Sequence, residues 1–312
     1  MFLALISAVA LPLLLSPIQG QKKSDREKGD LAGQVRSVRT EQAMFGGRRG
    51  HCVQDPSHLV KLTKYDLQGN LLEYSDYNLD GSTHGKVIFG RDSSGNKSEE
   101  AYYDSKGRLY RKRFFRPGTD GKLVKEESYG AQGVLVARTL PTYGEGEVLT
   151  QLDTYDGGGI LIHSRTFDPT GNLLKEDHYE NGSLTVRSLD AYDANGNKIE
   201  ESHHRSDGSL YSDNLMNPAR MIFTYDSGGR ISQQILYGSD GSVSWRINYA
   251  YDSRGNLAEQ WQYRLGSFLI SHRTYTYELD AAGNWLKQRI AEQFSETCSN
   301  PMEIVYRTIT YY

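Results

Sequence analysis

Eight histidines are scattered along this 312-residue chain: His51, His58, His84, His163, His178, His203, His204 and His272. No H-E-x-x-H, G-x-S-x-G or G-x-x-x-x-G-K-[ST] run accompanies them. His203 and His204 are adjacent, so a strand would point them to opposite sides, where they cannot share one ion. Carboxylates recur more regularly, at Asp66, Asp92, Asp104, Asp156, Asp168, Asp193, Asp226, Asp252 and Asp280. Calcium loops gather several oxygen ligands in one short loop. One Asp per turn supplies a single ligand, so turn capping is the expected role. The sequence therefore predicts no catalytic residue, no metal site and no cofactor.

Cys52 and Cys298 stand before and after the repeated region. Across a dozen strands at about 4.8 Å each, an unrolled sheet separates them by roughly 60 Å. A disulfide tolerates a Cα separation of only about 7 Å. Either the sheet curls or the ends fold back to join them, or they are two separate thiols. Trp245, Tyr249, Trp261 and Tyr263 flank a turn at Gly255. If Tyr251 pairs with Leu257, continuing the pairing puts Tyr249 opposite Glu259, Ile247 opposite Trp261 and Trp245 opposite Tyr263. All four aromatics would then share one face, as core beneath the C-terminal segment or as a sugar-stacking platform.

The elements that must position these residues follow from a repeat. YDLQGNLL at Tyr65 returns as YDSKGRL at Tyr103, FDPTGNLL at Phe167, YDANGNKI at Tyr192 and YDSRGNL at Tyr251. Glycines recur at spacings of mostly 12 and 14, giving a period near 26 that holds two strands and two turns. Each unit reads as a three-residue hairpin loop closed by a left-handed Gly with a bulge. Both spacings are even, so strand alternation predicts that Tyr and Leu stay on one face throughout. The strand centres on that face are often charged, as at Lys125 and Glu127. A dense two-sheet sandwich would bury such charges at heavy cost. The expected fold is all-β: a long antiparallel meander of hairpin repeats forming a curled, spiralling single sheet.

Residues 1–20 read as a signal peptide, with an uncharged apolar run from Phe2 to Leu15 and small Gly20 before a start at Gln21. Residues 21–58 read as a charged linker, a first strand over Leu31 to Gln42 and a loop. The β array occupies 59–290, with a degenerate unit at 134–158 and a long loop near Asn217 and Pro218. Residues 291–312 read as a closing strand segment. Lys and Arg total 36 against 39 Asp and Glu, so there is no basic field for nucleic acid. No second apolar run is long enough to span a membrane.

The run of Y-D-x-x-G-[NR]-L units over 59–290, with GNWLKQ at Gly283 and RTITYY at Arg307, resembles the YD-repeat (Rhs-repeat) proteins of bacteria, in particular small exported members. That resemblance implies hairpins stacked edge to edge into a long, spiralling sheet. Large members wrap a C-terminal toxin and carry a self-cleaving core motif; neither follows the repeats here, so toxin delivery is not carried over. The expected function is a non-enzymatic binding or structural module, secreted or periplasmic or at the cell surface, with a glycan or envelope protein as partner. The rival readings are an enzyme with a carboxylate site in the curled interior and an accessory partner of a toxin system.

Overall fold

The computed structural model describes residues 23–48, 51–118, 120–212, 218–292 and 303–312. A short helix, α1 (Asp25–Lys28), precedes β1 (Val35–Arg48), β2 (His51–Gln54), β3 (His58–Tyr65), β4 (Leu71–Tyr77), β5 (Thr83–Arg91), β6 (Lys97–Tyr103) and β7 (Leu109–Pro117). The chain continues through β8 (Leu123–Gly130), β9 (Leu135–Tyr143), β10 (Leu149–Asp156), β11 (Leu161–Phe167), β12 (Leu173–Glu180), β13 (Ser183–Tyr192) and β14 (Lys198–Arg205). It ends with β15 (Arg220–Tyr225), β16 (Ile231–Tyr237), β17 (Val243–Tyr251), β18 (Leu257–Arg264), β19 (Phe268–Leu279), β20 (Trp285–Glu292) and β21 (Glu303–Tyr311). The stretch read as a signal peptide and Cys298 lie outside the described residues, as does most of the loop expected near Asn217.

The repeated Asp-x-x-Gly unit builds its turns in one way. At the first, the Gly69 amide donates to the Asp66 carbonyl (3.0 Å) and the Asp66 amide to the Asn70 carbonyl (2.9 Å). The Asp66 carboxylate accepts from the Asn70 amide (2.8 Å) and from its side chain (2.9 Å). Equivalent backbone-to-carboxylate bonds recur at Asp92, Asp168, Asp193 and Asp252. These carboxylates are thus engaged by their own turns, as the sequence predicts. Gly69 has φ 83°, a conformation that costs a side-chain-bearing residue strain.

Each turn also inserts one unpaired residue. Tyr65 pairs with Leu71 while Lys64 pairs with Glu73, which leaves Leu72 without a partner. The same shift occurs next to Tyr77, Tyr179 and Tyr251. An extra residue moves the alternation by one. This corrects the expectation that the repeat tyrosines share one face. Tyr65, Tyr143, Tyr192, Tyr225, Tyr251 and Tyr277 lie on one side of the wall; Tyr77, Tyr103, Tyr129, Tyr155, Tyr179 and Tyr263 lie on the other.

The sheet closes, and the expected open, spiralling sheet is thereby overturned. Every strand from β3 to β21 pairs antiparallel with the next, and β1 pairs with both β3 and β21. With β2 set aside as an arm on the end of β1, the result is a closed barrel of 20 strands. The physical reason is edge satisfaction: an open meander leaves two rows of unpaired backbone groups, and β1 covers both. β1 is also longer than expected, because strand continues to Arg48 and turns into β2 where a loop was predicted. The predicted degenerate unit at 134–158 forms an ordinary hairpin of β9 and β10 around a 3-10 turn at Glu145–Glu147.

The stretch expected to be a charged linker docks instead. Ser24 and Glu27 cap α1 reciprocally. The Asp25 carboxylate accepts from the Leu71 amide and from Arg91, both at 2.9 Å, and the Arg26 amide donates to the Gly69 carbonyl (2.9 Å). Leu31, Val35, Val38, Tyr65 and Leu71 form the apolar cluster beside it, joined by Phe89 and Ile309. This segment covers the inner face at one rim. Along the same rim, phenols tie five hairpins to their neighbours. Tyr143 donates to the Leu123 carbonyl (2.8 Å), Tyr192 to Leu173 (2.9 Å), Tyr225 to Lys198 (2.6 Å), Tyr251 to Ile231 (2.8 Å) and Tyr277 to Leu257 (3.0 Å).

Two outcomes check this construction. Gly196 has φ 82° with open space around it, so Gly196→Val isolates backbone strain and is expected to lower unfolding free energy by about 1–3 kcal/mol in denaturant titration. Tyr251→Phe removes one inter-hairpin bond and is expected to cost about 0.5–1.5 kcal/mol; an unchanged midpoint in both variants contradicts the account.

Candidate functional site: a polar lumenal wall

Carrying the register round the ring assigns every strand residue to one of two faces. On the face covered by α1, burial is the largest influence on the ionisation of Glu100, Tyr102, Arg113, Arg165, His178, Asp190, Lys198 and Arg307. The face on which α1 and the N-terminal segment dock is the lumenal one.

From β6 to β14 the lumenal face is a belt of charged and imidazole side chains. Arg113 of β7 sits between Glu100 of β6 (3.0 Å) and Glu126 of β8 (2.8 Å), and both carboxylates are buried. Burial pushes the Glu100 carboxyl up, but Lys97 and Arg113 outweigh it and hold it below its ordinary value. Next round, His163 of β11 stands opposite His178 of β12, the rings stacked at 4.6 Å between centroids. The Glu176 carboxylate lies 2.6 Å from His163 Nε2. On β13 and β14, Ser188 Oγ is 2.8 Å from His203 Nδ1, and His203 Nε2 is 3.3 Å from Glu201. The His203 hydrogen bond pulls the Glu201 carboxyl down to about 2, helped by Lys198.

Ser188, His203 and Glu201 follow the order of a hydrolytic relay. They sit in the middle of paired strands, where Ser188 opposes His203 and Glu176 in the ladder. Backbone amides inside a ladder are engaged with neighbouring strands and do not converge on a developing oxyanion. As predicted, alternation separates His203 from His204, whose ring contacts Ser202 and the Gly208 carbonyl on the outer face.

From β16 to β20 the lumenal face changes to phenols and amides. Tyr249 donates to Gln234 (2.8 Å), Tyr275 to Gln260 (3.0 Å), and the Gln288 amide to the Tyr277 hydroxyl (3.0 Å). Here the expected aromatic platform divides. The unpaired residue beyond Tyr251 places Trp261 opposite Asn248 and Tyr263 opposite Arg246, not opposite Ile247 and Trp245. Trp245 and Tyr249 therefore face the lumen beside Gln260 and Gln262, while Trp261 and Tyr263 face outward. Trp261 is stacked on His272 at 5.0 Å and 12°, which covers one ring face. Cys52 lies in β2 opposite Gly47; its pairing with Cys298 falls outside the described residues.

Sequence reasoning missed the grouping of His163, Glu176 and His178. Counting strictly from the turn pairs His163 with Asp177. The bulge beside Phe167 moves the partner to His178, and the same bulge rule would have found it.

No protein-family model matches the chain, and no curated protein matches it. Among solved structures, a porin-like protein from Bacteroides uniformis superposes with a TM-score of 0.35 at 12% identity, over 89% of this chain and 98% of that one. A porin-like protein from Bacteroides vulgatus gives 0.30 at 11% identity, over the same shares. The Photorhabdus luminescens Tc holotoxin pore gives 0.21 at 13% identity, over 78% of this chain and 17% of that one. These superpositions are too loose to carry function across.

Removing the guanidinium between Glu100 and Glu126 takes the ion-pair partner from buried Glu126 and leaves buried Glu100 with Lys97. Arg113→Ala is expected to cost about 3–5 kcal/mol at pH 7. The folded Glu100 pKa is depressed, so its contribution is present above the unfolded value and lost as pH falls through the folded one. The gap between variant and wild type should therefore narrow below about pH 4; a pH-independent gap in thermal melts contradicts it.

Proposed function

We propose that this chain is a small exported relative of the YD-repeat proteins, a non-enzymatic barrel that stands in water at the bacterial envelope and holds a polar, carbohydrate-like ligand in its lumen. The observation that carries the reading is the polarity of both faces of the wall. A barrel spanning a bilayer needs an outward apolar band roughly 25 Å tall. Here the outer strand centres carry Glu99, Lys112, Glu127, Asp177, Arg187 and Glu200. Asp177 is 1% exposed and tied to Arg187 at 2.7 Å, an ion pair that suits an aqueous wall rather than lipid. No described helix is long and apolar enough to cross a membrane.

Twenty strands at about 4.8 Å give a perimeter on the order of 100 Å, more than side chains alone fill. The amide and phenol lattice from β16 to β20 offers donors and acceptors suited to sugar hydroxyls, with Trp245 as a stacking surface. The partner ring, Trp261, faces the other way.

Two measurements test the proposal. In detergent phase partitioning the protein should stay in the aqueous phase; recovery in the detergent phase overturns the water-standing barrel. On a glycan array, Trp245→Ala should lose retention and Trp261→Ala should keep it. The reverse pattern moves the ligand to the outer wall, and no retention by wild type removes the carbohydrate reading.

A further inference from the structure

The binding role proposed above leaves one group on the lumenal wall unused. His163 and His178 are direct partners across β11 and β12, with rings stacked at 4.6 Å and 26°. Directly opposed residues on neighbouring strands point the same way, so both imidazoles face the lumen. Glu176 precedes His178 by two positions and shares that face. One ligand atom from each of the three lies within 4.8 Å of the others.

The donor set is selective. Two imidazoles and one carboxylate suit zinc, whereas calcium and magnesium take oxygen ligands almost exclusively. Zinc holds nitrogen and oxygen at about 2.0–2.2 Å, which places tetrahedral ligand atoms roughly 3.3–3.5 Å apart. Closing the trio to that distance asks for about 1.5 Å of movement, within reach of side-chain rotation of His178, which is exposed. Glu176 already approaches His163 at 2.6 Å. Arg165 opposes Glu176 in register, and its charge acts against a second cation. We propose that His163, Glu176 and His178 form a zinc site that discriminates against calcium and magnesium, with its fourth position open to the lumen.

The test is equilibrium dialysis of the full mature chain against zinc alone, with cobalt substitution read by visible absorption. The expected result is one zinc per chain, cobalt bands of a four-coordinate site, and no displacement by equimolar calcium. His178→Ala should weaken zinc binding at least tenfold. Glu176→Gln, which keeps the side-chain shape and a polar contact to His163, should also weaken it while leaving the melting temperature nearly unchanged. His204→Ala, on the outer wall, should bind like wild type. The proposal is overturned if wild type takes up no stoichiometric zinc, if His178→Ala and Glu176→Gln both retain full affinity, or if calcium competes equally. A His178→Ala protein that fails to fold leaves Glu176→Gln as the deciding variant.

Discussion

One unpaired residue beside each turn governs this molecule. It arises because a three-residue loop ending in a left-handed Gly joins its strands with a one-residue offset. The offset moves the next strand's side chains to the other face. Successive turns sit on opposite rims, so the repeated tyrosines fall inside at one rim and outside at the other. Tyr192, Tyr251 and Tyr277 of the inner set donate to carbonyls of neighbouring hairpins. Which histidines meet, and which aromatics do not, follows from the same offset.

Closure rests on β1, which pairs on both edges. The docked N-terminal segment strengthens that junction, because Asn284 exchanges hydrogen bonds with the backbone of Ala32 across the seam. The Tyr312 hydroxyl donates to the Tyr65 carbonyl, repeating between the last strand and the first hairpin the phenol contact used elsewhere on the rim. The seam is therefore made of the same parts as the rest of the wall.

Much of this was legible in the sequence. The Tyr-Asp-x-x-Gly spacing located the turns, the capping carboxylates and the left-handed glycines, since those are local consequences of backbone geometry. Lys125 and Glu127, expected on the face of Leu123, lie instead on the outer wall, because the bulge beside Pro117 reverses the alternation. Closure was not legible, because it depends on whether β1 reaches β21, a contact between the two ends of the chain. The face assignment is readable in principle: a bulge at the Gly255 turn, carried down the strand, moves the partner of Trp261 from Ile247 to Asn248. The docking of α1 depends on Asp25 meeting Leu71 and Arg91, long-range contacts that a run of charged residues does not announce.

A closed wall of alternating strand directions must contain an even number of strands. One 26-residue unit supplies two strands and two bulges, so the second bulge undoes the face reversal of the first. A unit gained or lost would therefore leave every other residue on its original side. It would change the perimeter by about two strand widths, roughly 10 Å. Bore is thus a countable property of this architecture, adjustable in whole steps, with the chemistry of the lining left where it was.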